Sequence, residues 1–309
     1  MASIVSGVAM SHSPLIMTNA EAAGDKGKRF IESARQMKQW LTDSSVDVIV
    51  LVSDDHFNSY YYNLVPSFTI GIGQCQGWGD WELPQYDIPV EQDLAKHILN
   101  VGLDNGIDFS FTMSMKVDHG HTQAIYFLDP DLKIPVVPIA VNTSAPPLPT
   151  MERSFQLGEV LRKAVLSWPS NKKVAFIASG GLSHWVPTPK IDSQKEEDRL
   201  MVEIMLHGRD RVKDNDEYVE FRKNRVTKLK SGPVNEEWDK QFLNFIESGN
   251  ISALRNMKEE EIEQNAGNGG QEVHNWLVLL GAVQGMSPEV VCYEPIPEWV
   301  TGMAVVRFQ

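Results

Sequence analysis

Eight histidines punctuate the chain, and four of them, His12, His56, His119 and His184, stand in polar clusters just after short apolar runs. Imidazole is the side chain that changes charge near neutral pH, and it is the commonest nitrogen ligand for a transition metal. Any one of the four alone reads as a surface or core histidine with satisfied ring nitrogens. Their shared placement singles out the set. Two neutral imidazoles and one carboxylate on one face of a metal leave the opposite face open, as in non-haem Fe(II) oxygenases. His12 and His56 are the candidate imidazoles. Glu272 is a candidate carboxylate, although an acidic residue starting a helix also interacts favourably with the helix dipole. Asp54, Asp55 and Asp118 could equally supply a ligand oxygen or hydrogen bonds to the ligands. His119 and His184 are then left for proton transfer, which a group titrating near pH 6.5 performs well. The plainer alternatives are a turn at Asp118-His119-Gly120 and a helix N-cap at Ser183. His121 and His274 are weaker candidates, and His97 and His207 read as helix-surface residues.

The elements that must position these side chains can be read from apolar patterning. Nearly continuous β-branched runs at 46–52, 134–141 and 174–178 predict buried strands covered on both faces. Further strands are expected at 4–10, 67–72, 109–115 and 302–308. Helical spacing predicts helices at 27–41, 90–101, 155–165 and 272–282. The fold class that follows is α/β, with a central, mostly parallel sheet flanked by helices. Loops at the carboxyl ends of neighbouring parallel strands meet in one crevice, so four strands ending in histidine loops imply one site. Residues 192–264 turn helical and charged, and are expected to form a helical cap or insertion within a single catalytic domain spanning 1–309.

Composition narrows the function classes. The formal net charge of −13 and pI near 5.1 oppose binding to nucleic acid or an anionic membrane. Two cysteines, Cys75 and Cys292, cannot build a disulfide framework or an iron–sulfur site. No run of eighteen apolar residues is present, and the amino terminus lacks a basic region before its apolar residues. A soluble, cytoplasmic protein is therefore expected. Gly181-Leu182-Ser183-His184-Trp185 lacks the second glycine of a nucleophile elbow, and no Walker A or dinucleotide fingerprint occurs. Candidate pocket residues for a ring substrate are Tyr60, Trp78, Trp81 and Trp299. Arg222 and Arg225 could pair with a substrate carboxylate, and surface salt bridges are the plainer account of both.

Seven stretches carry a family resemblance: SHSPLI at 11–16, DHFN at 55–58, VPSFTIGIG at 65–73, MKVDHG at 115–120, SGGLSH at 179–184, NEEWDKQF at 235–242 and YEPIPEWVTG at 293–302. Spread in this order over nearly the whole length, they resemble the class III extradiol ring-cleaving dioxygenases of the protocatechuate 4,5-dioxygenase β-subunit type. The resemblance implies Fe(II) held by His12, His56 and Glu272, with His119 and His184 in acid–base roles. It also implies a small aromatic diol and O₂ as reactants, a yellow semialdehyde product and a homo-oligomer. The substrate class it points to is a 3-substituted catechol such as 2,3-dihydroxyphenylpropionate. The loop GWGDWELPQYD at 77–87 departs from the family pattern, and the segment between His184 and Trp238 is shorter. Both departures leave room for a gallate-like, aminophenol or bulkier diol. The remaining alternative is a non-catalytic binding protein on the same fold.

Overall fold

The computed structural model describes residues 1–208, 220–221, 224–226 and 232–309. Its central sheet contains nine strands: β1 (Ser3–Met10), β2 (Val48–Ser53), β3 (Phe68–Gly77), β4 (Asp87–Ile88), β5 (Ser110–Val117), β6 (Val136–Val141), β7 (Lys173–Ser179), β8 (Pro288–Ile296) and β9 (Thr301–Phe308). They lie in the order β4-β3-β6-β2-β7-β1-β9-β8, and β5 pairs with β3 off this path. The strands β6, β2, β7 and β1 form the parallel centre. Antiparallel neighbours flank it, β3 against β6 on one side and β9 against β1 on the other.

The centre is parallel because its strands can be buried on both faces. Every residue of β2, VIVLVS, is buried. Val48, Val50 and Val52 join one core cluster, while Ile49 and Leu51 join the other, which is the period-two alternation of a strand between two layers. Helices Met151–Ser167 and Val273–Ala282 supply the first layer. Helices Gly24–Asp43 and His119–Leu128 supply the second. In Gly24–Asp43 the buried positions Phe30, Ala34, Met37 and Leu41 recur at the spacing of one helical face.

The helical stretch after His184 divides between two environments. Helices Glu236–Glu247 and Glu259–Ala266 put Trp238, Phe242, Ile246 and Ile262 into the main core. Helix Arg199–His207 instead packs Met201, Ile204 and Met205 on Phe57, Tyr61 and Ala145 in a small separate cluster. Among the elements outside the sequence expectation, two bear on the site and its frame. Residues 288–296 form a full antiparallel strand against β9 rather than a lead-in loop. His119 opens a ten-residue helix rather than a turn, with the Asp118 carboxylate accepting the Gly120 N–H at its amino end. No helix among the described residues is long and apolar enough to cross a membrane.

Candidate metal centre

Three chain segments bring the candidate ligands together from the parallel centre. His12 follows β1, His56 follows β2, and Glu272 ends a turn, Gly269–Glu272, that packs beside the loop after β7. His12 Nε2 lies 3.4 Å from His56 Nε2 and 3.3 Å from Glu272 Oε2, and His56 Nε2 lies 3.2 Å from Glu272 Oε1. An ion bound at about 2.1 Å separates its ligands by roughly 3.0 Å at octahedral angles and roughly 3.4 Å at tetrahedral angles. The triangle falls within that window, so the residues fit a divalent transition metal.

The imidazoles are oriented as ligands must be. His12 Nδ1 is 3.0 Å from Ser179 Oγ, and His56 Nδ1 donates to Asp118 Oδ2 at 3.1 Å. Both rings therefore present Nε2 inward. The two other histidines follow the same rule, with His119 Nδ1 donating to Asp80 Oδ2 at 2.8 Å and His184 Nδ1 to the Leu182 carbonyl at 2.8 Å. His184 Nε2 sits 3.1 Å from Glu272 Oε1. The His119 ring stacks on His56 with centroids 4.2 Å apart.

Burial and charge act differently on each member. Burial pushes His12 down to about 3, which keeps its ring neutral. Burial also works against charge on His56, but the Asp54 and Asp118 carboxylates raise it well above the usual histidine range. Burial opposes ionisation of Glu272, yet His12 and His184 hold it well below the usual carboxylate range. The net effect of Asp54, Asp118 and Glu272 is a point in the site where positive charge is favoured. An imidazolium or a metal cation answers that demand.

Each of the other carboxylates named from sequence is engaged. Asp54 accepts from Ser53 Oγ, Asn275 Nδ2 and Thr143 Oγ1, and lies 3.4 Å from His56 Nε2. Burial, then the charge of Glu272, pushes it up to about 7. Asp55 accepts the backbone N–H groups of Asn58, Ser59 and Tyr60 and shapes the loop after His56. Asp118 Oδ2 receives the His56 N–H, His56 Nδ1 and Asn58 Nδ2. The position of His119 does not follow from the parallel-strand rule. Its strand, β5, pairs only with β3, which runs opposite to β6. Asp118 joins the two parts of the site instead, bonding the loop after β2 and capping the helix that His119 begins.

Residues 6–304 match the family described as the catalytic LigB subunit of aromatic ring-opening dioxygenase. The chain belongs to that family. It is an aromatic ring-opening dioxygenase of the extradiol type. A curated relative from Photorhabdus laumondii, named 2,3-dihydroxyphenylpropionate/2,3-dihydroxicinnamic acid 1,2-dioxygenase, is 31% identical, covering 98% of this chain and 96% of its own. The protein of the same name from Escherichia coli K12 is 32% identical, covering 95% of each chain. A crystal structure of an uncharacterized Escherichia coli K12 protein, JW3007, shares the fold at a TM-score of 0.54 and 15% identity, covering 99% of this chain and 100% of its own.

The family site opens into a cavity of about 670 Å³ lined by His12, His56, His119, His184 and Glu272. The rest of its lining mixes apolar side chains such as Tyr62, Leu148, Val186, Met201 and Met205 with charged ones such as Lys190, Asp192, Glu259 and Glu263. Of the pocket residues named from sequence, Trp81 and Arg225 line this cavity. Arg225 is committed there, donating to the Pro187 and Glu197 carbonyls and to Asp198. Trp78 donates to Ser59 Oγ and carries Lys116 over its ring. Tyr60 packs against the second core cluster, and Trp299 is fully buried against Phe30. Arg222 lies outside the described residues. Asp80 was missed by sequence reasoning. Its only signal was its place in the divergent 77–87 loop. His121 bonds the Ile139 carbonyl and His274 bonds Ser154, both in the interior.

Proposed function

We propose that His12, His56 and Glu272 hold Fe(II), and that the protein cleaves the ring of a 3-substituted catechol, such as 2,3-dihydroxyphenylpropionate, beside its hydroxyl pair with insertion of both atoms of O₂. The observation that supports this best is the convergence of two inward Nε2 atoms and one carboxylate at the base of a cavity, with two further histidines beside them. Bound Fe(II) would supply a redox-active centre with open positions for the diol and O₂.

The protein's own groups then bind, orient and move protons. The apolar part of the lining buries the ring and its side chain and excludes water from the reacting face. His184 has Nδ1 committed to Leu182 and its Nε2 beside Glu272 Oε1, so Nε2 would exchange a proton with a substrate hydroxyl once Glu272 is engaged as a metal ligand. His119, held through Nδ1, offers Nε2 to take up a proton and return it as the ring opens. The two roles use one chemical device, an imidazole whose outer nitrogen is fixed.

The cavity also supports a second reading, in which the diol carries a larger substituent than propionate, because about 670 Å³ is ample for a small-molecule site. The family resemblance further supports a homo-oligomer. The deciding experiment is O₂ uptake with near-visible absorbance when anaerobically reconstituted Fe(II) protein meets 2,3-dihydroxyphenylpropionate. Rapid uptake with a yellow product is expected. Uptake only with bulkier catechols or aminophenols would move the substrate to the second reading. No turnover across such a panel, from protein retaining stoichiometric iron, would refute catalysis.

A further inference from the structure

The loop between β3 and β4 carries a carboxylate whose contacts no structural role explains. Asp80 Oδ2 accepts from His119 Nδ1 at 2.8 Å. Its other oxygen, Oδ1, is buried with no hydrogen-bond partner among the described residues. A carboxylate that merely stabilised its loop would take backbone N–H groups with both oxygens, as Asp55 and Asp118 do. Asp80 directs its one side-chain hydrogen bond at an imidazole that lines the cavity.

The loop is built to keep it there. Gly79, Trp81 and Glu82, on either side of Asp80, have φ of +70°, +52° and +66°, and two of these are residues that carry a Cβ. Such strain persists only where the surroundings over-determine it. Here the Leu83 N–H closes on the Asp80 carbonyl at 3.0 Å, the Gly77 N–H on the Tyr86 carbonyl at 2.8 Å, and the Trp78 N–H on the Val117 carbonyl at 2.9 Å. Trp81 then places its indole edge-on to His119, with centroids 6.2 Å apart.

We infer that Asp80 is a positioning residue, which fixes His119 with its proton on Nδ1 and its Nε2 turned into the cavity. The inference rests on the acid–base role proposed for His119. An ionised carboxylate can only accept, so the proton of a neutral ring is held on the outer nitrogen and the ring cannot rotate without losing that bond. Asp80 is not among the residues that line the cavity, and its one side-chain hydrogen bond among the described residues goes to His119, with Asp118 within 4.8 Å. It acts through His119 alone.

The test compares Asp80→Asn, His119→Ala and the double variant as full-length Fe(II)-loaded protein, reading kcat, KM, iron content and ring-cleaved product per O₂ consumed. Positioned acid–base groups contribute roughly 10²–10⁴-fold. Asp80→Asn is expected to forfeit part of that, about 10- to 100-fold in kcat, with KM and iron content little changed and less product per O₂. The double variant is expected to be no slower than His119→Ala. Wild-type kcat in Asp80→Asn, beside a slow His119→Ala, would overturn the inference and leave the role of His119 standing. A fully active His119→Ala would remove both. Equal losses that multiply in the double variant would also overturn it, since Asp80 would then act elsewhere. Should Asp80→Asn fail to fold, the histidine ¹⁵N spectrum of the wild-type Zn(II)-substituted chain decides, with a protonated His119 Nδ1 supporting the inference and a bare Nδ1 overturning it.

Discussion

Replacing Gly269 by alanine should disable the site without touching a ligand. A Cβ at this position would lie 2.1 Å from His184 Nε2 and 2.2 Å from its Cδ2, where ordinary contact begins at 3.4 Å. Gly269 does not occupy the left-handed region, so alanine is compatible with its backbone. The clash must therefore be relieved by movement, and the His184 ring would retreat by about 1.3 Å. That ring is held by two contacts, to the Leu182 carbonyl and to Glu272 Oε1, whereas Glu272 in the neighbouring turn is tied in addition to His12, His56 and the Gly181 N–H. The ring is the part that yields. A displacement near 1 Å in a reacting group costs about 10²-fold in rate, and overpacking of this kind destabilises by about 1–3 kcal/mol. Steady-state O₂ uptake with iron quantitation should show kcat falling about 100-fold at unchanged iron content. A variant with full iron and wild-type kcat would refute the reasoning. Loss of iron alongside activity would place the strain in the turn rather than in the ring.

Three further outcomes follow from the same geometry. Glu272→Gln should strip the metal on gel filtration, while Asp54→Asn, whose amide keeps an oxygen acceptor for its neighbours, should retain it; metal analysis of both distinguishes the two carboxylates. Burial pushes the Asp239 carboxyl up to about 6, so the folded state binds more protons than the unfolded state from about pH 4 to pH 6. The stability this group contributes is present below the unfolded value and is lost as pH rises through 6, at most roughly 1.4 kcal/mol per pH unit. The thermal midpoint of Asp239→Asn should therefore gain on that of the wild type between pH 4.5 and pH 7, and a constant gap would contradict it. Trp299→Phe should lower the thermal midpoint with KM for the diol unchanged, because the indole is in the core against Phe30 and donates to the Asn19 carbonyl; a raised KM would return it to the pocket.

The parallel centre was legible because burial on both faces leaves β2, β6 and β7 as largely apolar runs, and β2 and β7 lead to His56 and His184 as β1 leads to His12. β8 was not, since PEVVCYEPI is a half-buried edge strand whose two prolines read as loop. The helix from His119 escaped notice for the opposite reason. Nine of its ten residues are buried, so it has no polar face to set a helical period. Candidate ligands could be named from residue type and placement, but choosing among Glu272, Asp54 and Asp118 required the family resemblance. Trp299 and Trp81 look alike in sequence, and only packing separates an indole that fills the core from one that walls a cavity. Asp80 needed the third dimension, because nothing local in Gly79-Asp80-Trp81 points to a histidine 39 positions later.

The seating of the loop that carries His12 has a consequence for assembly of the site. The Ser11 N–H bonds the Ala304 carbonyl, Ser11 Oγ bonds Gly302, and Ser13 Oγ bonds the Trp299 carbonyl. The loop that offers the first imidazole is thus locked by residues about 290 positions downstream, and Glu272 also lies far downstream of both histidines. Without those segments in place, His12 and His56 lack both Glu272 and the frame that seats their loops. On the proposed ligand set, tight metal capture would await the docking of these distant segments, and metal content would read out completed folding.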